Sequence, residues 1–539
     1  MKRNIITAIV LALCGTIYAQ KDSLNAVIHV ENEYTPVVTK AVKRGFTPST
    51  EENNRQTPLE LEFSHKSNPF KGFTSERDVK ELLPGQKQSY PGYVRLGYGT
   101  GNNADALASY MYDITKRDKI KAVASIKGYN RELKSVIGKW DSRMYSSWVS
   151  TDYSHRFDNL LLGATATFEN DVFNYNTNIP TDKQNNKRFD VGTYGVSSLA
   201  GPLAYEFKAG FARNHYSRQI EEGSCAENRI YAGGKVKYEF GEEGFNNINL
   251  GVNLNNYIYD NYSIMKNFLS ADFNPYTDIL TDNMRIHIGA NVNLLTANGP
   301  LFAIAPDLGI EATISNSVAL YGKVKGNRRA GTFDVLMQQN PYNILFTTDK
   351  PEYTIADVTI GTRITTNNLS IDIFAGGAYT KDALLAGYLP LEIPQTPTHS
   401  DKLVASFTEQ ENTTNIYAGT RVGYDYEGWL KTSGMVRYNY RRCDEDALLM
   451  MKPEFEFSLN AEARFLEDFY VTLAYNFATY KHDTPSLNKN ELNLRTSYKF
   501  MERFGAYIEG NNLLNRNYFK YAGYNEQGIN ILLGLSAAF

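Results

Sequence analysis

From Tyr93 to its last residue this chain alternates apolar and polar side chains with a period of two, and it does so in runs too long for chance. In Lys452 to Phe465, the residues Pro453, Phe455, Phe457, Leu459, Ala461, Ala463 and Phe465 share one face. Lys452, Glu454, Glu456, Ser458, Asn460, Glu462 and Arg464 share the other. Such a period fits a strand and would scramble on a helix. Leu430 to Arg441 repeats the pattern, with Leu430, Thr432, Val436, Tyr438 and Tyr440 opposite Lys431, Ser433, Arg437, Asn439 and Arg441. The last run sets Ile529, Ile531, Leu533, Leu535 and Phe539 against Asn530, Gly534 and Ser536. Long strands following one another without helical segments predict an all-β chain whose strands form a barrel wall.

Hydropathy narrows this further. Mean hydropathy is −0.42, and past the N-terminal segment no apolar run reaches the roughly 18 residues of a helical span. A closed barrel is the remaining way to cross a bilayer, because it pairs every backbone group without continuous hydrophobicity. The connections alternate in length. Tight links are expected at 157–159, 199–202, 241–246, 315–317, 366–368, 427–428, 466–468 and 501–503. Long polar loops are expected at 174–187, 217–227, 326–353, 381–413 and 512–527. Short periplasmic turns and long extracellular loops belong to outer-membrane barrels, and the pattern predicts an even number of strands, about 22 within a range of roughly 18–22. Aromatics beside the tight turns (Phe157, Phe245, Trp429, Phe465, Phe469, Phe500 and Phe504) predict an interfacial girdle at that rim.

The N-terminus sets the compartment. Lys2 and Arg3, an apolar run from Ile5 to Leu13 and Ile17-Tyr18-Ala19 before Gln20 have the anatomy of a secretory signal peptide over residues 1–19. Residues 20–90 are polar and Pro-punctuated, too poor in apolar content for a core of their own. They read as a periplasmic arm or partial plug ahead of a barrel over 91–539. Within the arm, Val27 to Val30 is suited to pair with a periplasmic or outer-membrane partner by strand addition.

Other chemistry is thin. A formal net charge of −3 points away from nucleic acid. Cys225 and Cys443, both placed in extracellular loops, make no disulfide framework or metal site, and the pattern leaves open whether they pair. The seven histidines are scattered without metal-ligand spacing, and no nucleophile-elbow, Walker or HExxH pattern occurs. No cofactor, metal or catalytic residue is expected.

One stretch carries a family likeness. Gly510-Asn511-Asn512-Leu513-Leu514-Asn515-Arg516-Asn517-Tyr518 is followed by Ala522-Gly523-Tyr524, Gly528 and an alternating strand ending in Phe539. This resembles the last two strands and last loop of TonB-dependent receptors. The resemblance implies an outer-membrane uptake barrel set in lipid and lipopolysaccharide, with Phe539 in the signal read by the barrel-assembly machinery; the Tyr-rich barrel and Gln20 after the signal cut suggest a Bacteroidetes-type source. The segment before Tyr93 is much shorter than that family's plug domain, which argues against TonB coupling of the usual kind, although Glu33 to Thr39 has the look of a TonB-box segment.

The functional candidates are the charges on the polar face: Lys431, Arg437, Arg441, Glu454, Glu456, Glu462 and Arg464. Facing a lumen, they would tune permeation or anchor a plugging segment. Two functions follow: a channel or receptor for solute uptake, or a non-conducting subunit of an outer-membrane complex. A lumen of this strand number must be narrowed by the arm, by the long loops or by a partner.

Overall fold

The computed structural model describes residues 90–539 apart from 179–182, 198–201, 219–222, 241–245, 261–264, 282, 347–349, 397–398, 467 and 482–487. The expected signal peptide, arm and TonB-box-like segment lie outside the described residues.

The wall begins with β1 (Gly92–Gly99), β2 (Asn103–Asp113), β3 (Asp118–Ser135), β4 (Gly138–Arg156) and β5 (Leu160–Phe173). Next come β6 (Gln184–Ser197), β7 (Leu203–Arg218), β8 (Gly223–Phe240), β9 (Asn246–Asp260) and β10 (Phe268–Leu280). After β11 (Met284–Leu295), β12 (Phe302–Ser315) and β13 (Val318–Arg329) the chain turns inward through a short helix, α1 (Phe333–Gln339), and an inner strand, β14 (Asn343–Phe346). The wall resumes with β15 (Glu352–Thr365), β16 (Leu369–Thr396), β17 (His399–Tyr426) and β18 (Leu430–Arg442). It continues through β19 (Pro453–Leu466), β20 (Phe469–Tyr480), β21 (Lys489–Lys499) and β22 (Phe504–Asn511). A small hairpin, β23 (Phe519–Tyr521) and β24 (Tyr524–Asn525), precedes the closing strand β25 (Asn530–Ala538).

Successive wall strands pair antiparallel, and β25 pairs with β1 (Tyr93↔Ala538 through Gly99↔Leu532), so the wall is a closed barrel of 22 strands. Closure leaves no open edge, the condition for standing in lipid. Among the described residues no helix is long and apolar enough to cross a membrane; the apolar surface belongs to the wall strands. Their outward side chains are apolar and exposed: Leu96 at 59%, Leu533 at 58%, Leu535 at 63% and Ile508 at 52% form one patch across the closure. A soluble protein would bury such a surface. The alternation read from the sequence is therefore the lipid-out, lumen-in alternation of an outer-membrane barrel.

The start of β1, the end of β25 and the tight turns share one rim. Gly92 N–H donates to the Phe539 carbonyl at 2.8 Å, and Phe539 N–H returns the bond to Gly92 at 2.9 Å. At the β17–β18 turn Glu427 and Gly428 both take positive φ (48° and 73°), the backbone a two-residue reversal needs. Phe157, Trp429, Phe465, Phe500 and Phe504 are exposed near this rim, as an aromatic girdle requires, and so is Phe539; Phe469 is half-buried, and Phe245 lies outside the described residues.

Two expected loops are not loops. β16 and β17 run 28 residues each, so 381–413 is mostly paired strand, and β7 and β8 likewise absorb most of 217–227. The prolines suggested a loop, but β15 stops pairing at Lys381, so Pro390 and Pro394 sit on a free edge where a missing N–H costs no ladder bond. Cys225 consequently lies within β8 rather than in a loop, and both cysteines are free of disulfide, each in a different buried cluster.

Candidate functional site

The long extensions of β16 and β17 do not stand away from the membrane. Up to Lys381 and Thr414 these strands are held in the wall by β15 and β18. Above that height they continue as a two-stranded ribbon, from Ala383↔Glu411 to Thr396↔His399. At about 3.3 Å per residue the ribbon reaches about 45 Å, long enough to cross the mouth of a wide barrel. It does cross. Val404 N–H donates to Asn176 O at 2.9 Å and Asn178 N–H donates to Lys402 O at 3.1 Å, with an isolated antiparallel bridge between Thr177 and Leu403. Residues 176–178 follow β5, nearly half-way round the wall from β16.

The free edge of β17 is filled next by β14, which pairs parallel with it from Asn343↔Ser406 to Phe346↔Thr408. Two buried amides pin that join: Asn340 Nδ2 donates to Ser406 Oγ at 2.6 Å, and Asn343 Nδ2 to Thr408 Oγ1 at 2.8 Å. Apolar packing then seals the lid. Leu403, Val404 and Ala405 are buried with Tyr129, Leu133, Trp140, Met144 and Phe173, inward-facing residues of β3, β4 and β5. Leu385 packs with Cys443, Leu448 and Leu449 beyond β18.

At the centre stands an aromatic hub drawn from two inner connections and the upper ends of β4 and β5. Tyr342 stacks on Tyr524, with centroids 3.8 Å apart and planes 11° from parallel, and meets Phe173 edge-on at 5.2 Å. Trp140 abuts Tyr524 edge-on at 5.8 Å. The Tyr524 hydroxyl donates to Val404 O at 3.1 Å, tying the β22–β25 loop to the lid. Gly523, at φ 80°, makes the β23–β24 turn, and a Cβ there would strike Val404 and Tyr388. Upstream, Asn512 takes φ 48° and is buried; its side-chain amide donates to Arg516 O and Gln527 O, each at 2.8 Å, closing the loop on itself. These bonds account for the Asn and Gly-Tyr of the family-like stretch.

On the other side α1 plugs the space inside β7 to β11. Thr332 caps the helix through Val335 N–H, while Phe333, Leu336 and Met337 are buried against Tyr216, Tyr259, Phe268, Leu295 and Leu384. Glu227 of β8 accepts Phe333 N–H at 2.7 Å, and Arg188 of β6 lies 3.5 Å from Asp334.

Below the lid the wall carries a recurring polar element. An inward Tyr lies directly opposite a Gly in register, crosses the glycine strand and donates its hydroxyl to an Asp beyond. Tyr231 reaches Asp190 at 2.8 Å over Gly210, Tyr321 reaches Asp372 at 2.8 Å over Gly361, and Tyr417 reaches Asp357 at 2.6 Å over Gly376. Tyr194 reaches Asp152 at 3.1 Å over Gly163, and Tyr507 spans Gly534 and Gly97 to Asp105 at 3.4 Å. Cβ atoms at these glycines would collide with the rings. Arginines sit on the same rings: Arg229 at 4.9 Å from the Tyr231 centroid, Arg363 at 5.1 Å from Tyr321 and Arg495 at 4.7 Å from Tyr507.

The seven candidate charges share the face of buried Asn439, Glu456 and Ser458 but do not converge. Lys431 lies near the periplasmic turn, opposite Glu462 in register and 3.9 Å from Asp425. Arg464 sits 5.7 Å from the Tyr470 ring centroid. Midway, Arg437 is opposite Glu456 and lies 4.2 Å from the Tyr417 centroid, which joins it to the Tyr–Gly–Asp element. Glu456 accepts Asn439 Nδ2 at 2.9 Å. Arg441 donates to Pro453 O at the upper end, where Glu454 is half-buried. Phe539 stacks on Tyr110 at 6.3 Å beside the closing seam.

Fold and lid together define an outer-membrane β-barrel whose outer mouth is covered by its own loops. Among solved structures, the barrel is similar to that of a ferric enterobactin receptor variant from Pseudomonas aeruginosa, with TM-score 0.62, 12% identity and 84% of this chain matched to 81% of that one. A siderophore receptor of the same organism matches with TM-score 0.61 at 12% identity, over 84% of this chain and 81% of that chain. The copper transporter OprC matches with TM-score 0.59 at 11% identity, over 84% and 80%. What these proteins share with this chain is the fold, a closed antiparallel β-barrel. A likeness at such identity carries the fold and not the cargo. No family model matches the sequence, and neither does any curated protein.

Proposed function

We propose that the chain is a solute-uptake barrel of the outer membrane that stays shut on its own and opens only when a ligand or partner supplies the energy. The lid carries this reading. Leu384, Leu385, Leu403 and Val404 are each no more than 4% exposed, and exposing such a side chain costs about 1.5–3 kcal/mol. Swinging the ribbon clear therefore costs at least about 6 kcal/mol, an open fraction below about 10⁻⁴ at a tenfold change per 1.4 kcal/mol. A passive porin has no use for such a closure. The charges on the polar face, Arg437 among them, then line the path below the lid, and Phe539 serves the assembly machinery. Transport, rather than catalysis, is the work such an architecture supports.

The test is conductance in planar bilayers. The purified full chain is expected to pass no large steady current. Replacing 384–410 by a tight turn, with 20–90 also removed, is expected to give steady conductance. Large currents from the unaltered chain would refute the shut barrel. Silence of the shortened, folded barrel would instead favour a non-conducting subunit of an outer-membrane assembly.

A further inference from the structure

We infer that the ribbon of β16 and β17 moves as one body, hinged at a bulge beside Asp382 and latched to the rim segment 176–178. The inference deepens the reading of the chain as a gated uptake barrel and names the part that moves.

The hinge is defined by three coincident features. The register breaks between Thr380↔Thr413 and Ala383↔Glu411, so Lys381 and Asp382 face Asn412 alone. Asp382 takes φ 49°, the left-handed backbone that such a two-against-one bulge uses to re-aim a strand. At the same height both neighbours end, since β15 last pairs at Tyr353↔Lys381 and β18 at Arg442↔Thr414. Below the bulge the two strands are held on both sides by the wall; above it the wall lets go, and the outer edge of β17 is paired by the inner strand β14 instead. Side chains brace the join in place of the ladder. Gln410 Nε2 donates to Lys350 O at 2.7 Å and to Asp382 O at 3.2 Å, and Asp382 N–H donates to Asn412 Oδ1 at 3.2 Å.

The latch lies at the far end and is short. Thr177 Oγ1 donates to Lys402 O at 2.7 Å, Lys402 N–H donates to Asn178 Oδ1, and Asn176 and Asn178 pair with the Val404 and Lys402 backbones. Between hinge and latch the ribbon's internal pairing is continuous from Ala383↔Glu411 to Pro394↔Ser400. A ribbon paired along its length and bulged where the wall ends opens as a unit rather than by fraying once its ties to 176–178 and to β14 are broken.

Hydrogen exchange on the full chain in lipid nanodiscs reads this directly. The amides of 385–393 and 403–407 that donate across the β16–β17 ladder are expected to exchange with one common protection factor, at least about tenfold below that of the wall segments of β16 and β17 under the bulge. A Thr177→Cys, Leu403→Cys pair joins residues bridged across the latch, where antiparallel Cα spacing of about 4.5–5.5 Å suits a disulfide. Oxidised, it should slow lid exchange at least tenfold, and reduction should restore it. Thr177→Ala with Asn178→Ala should speed the same step, which serves if the cysteine pair assembles poorly. Protection that varies from one ladder amide to the next within the ribbon, lid exchange merged with the wall, or indifference to the latch variants would overturn the inference. A current through the unaltered chain would refute the shut barrel and leave the exchange result standing, so the two failures are distinguishable.

Discussion

Tyr524 is the residue whose loss should loosen the lid most for the least damage to the wall. It is 2% exposed, stacks on Tyr342 at 3.8 Å, meets Trp140 at 5.8 Å and donates to Val404 O at 3.1 Å, while Asn176 N–H approaches its hydroxyl at 3.4 Å. Removing a buried ring of this size costs about 3–5 kcal/mol, and leaving a buried carbonyl without its donor costs about 1 kcal/mol more. Tyr524→Ala should therefore raise the fraction of detached lid by about 10³–10⁴-fold, at a tenfold change per 1.4 kcal/mol. Tryptic cleavage after Lys402 reports that fraction, because the Lys402 carbonyl and amide are bound to Thr177 and Asn178 while the lid is down. When opening and closing are fast, native-state cleavage follows the open population. The unaltered chain should resist trypsin at Lys402 and Tyr524→Ala should be cut about a thousandfold faster. Tyr524→Phe, which keeps the ring and loses the hydroxyl, should fall near tenfold, the yield of about 1–2 kcal/mol. Heat-modifiable migration on gels checks that each variant still forms its barrel. A folded Tyr524→Ala barrel as resistant as the parent would refute the view that the aromatic hub holds the lid.

The remaining expectations concern the wall, the seam and the thiols. Gly210→Val sets a branched side chain against the Tyr231 ring and the Val191 carbonyl; it should destabilise the barrel by about 1–3 kcal/mol or more in urea titrations, whereas Gly138→Ala, with nothing within 4 Å, should lose only what its φ of 116° demands. Tyr231→Phe should cost about 1 kcal/mol through the lost bond to Asp190, which keeps Arg229 at 3.5 Å, and an unchanged midpoint would remove the Tyr–Gly–Asp element from any stabilising role. Phe539→Ala should sharply lower the folded fraction in cells while hardly changing refolding in vitro, since the ring pair it makes among the described residues, with Tyr110 at 6.3 Å, is worth at most about 1.5 kcal/mol; equal losses in both settings would mean a packing role instead. Migration with and without reductant should be identical, and Cys225 and Cys443, both buried, should label with maleimide only after unfolding.

The wall was legible because its information is local. Fourteen residues of alternation in β19, or the Glu427-Gly428 reversal, need no distant partner to be read. The lid was not legible, because each of its contacts joins residues far apart in the chain: Thr177 with Lys402, Asn176 with Tyr524, Tyr342 with Met144. Pro390 and Pro394 actively misled, since proline forbids a central strand and tolerates a free edge, and only the register says which applies. The Tyr–Gly–Asp element is intermediate. Its residues alternate correctly on their own strands, but Tyr231 over Gly210 becomes visible only when β7 and β8 are set side by side. The charged candidates Lys431 to Arg464 show the opposite limit: their shared face was readable, and the face turned out to pair them along the wall rather than gather them at one point.

The two polar and aromatic systems divide the barrel's work by the way they are joined. Each Tyr–Gly–Asp element ties strands two or three apart around the circumference, so a deformation that separates neighbouring strands must break a buried or half-buried hydrogen bond as well as the ladder. The hub does the reverse. Tyr342, Trp140 and Tyr524 come from connections outside the wall ladder or at its upper end, and their contacts tie loop to loop across the mouth. Lifting the lid therefore costs hub contacts and leaves the circumferential ties intact. A barrel that must change at its mouth without leaking at its wall needs this separation, and here the boundary between the two systems falls at the height of Asp382, where β15 and β18 stop and the ribbon begins.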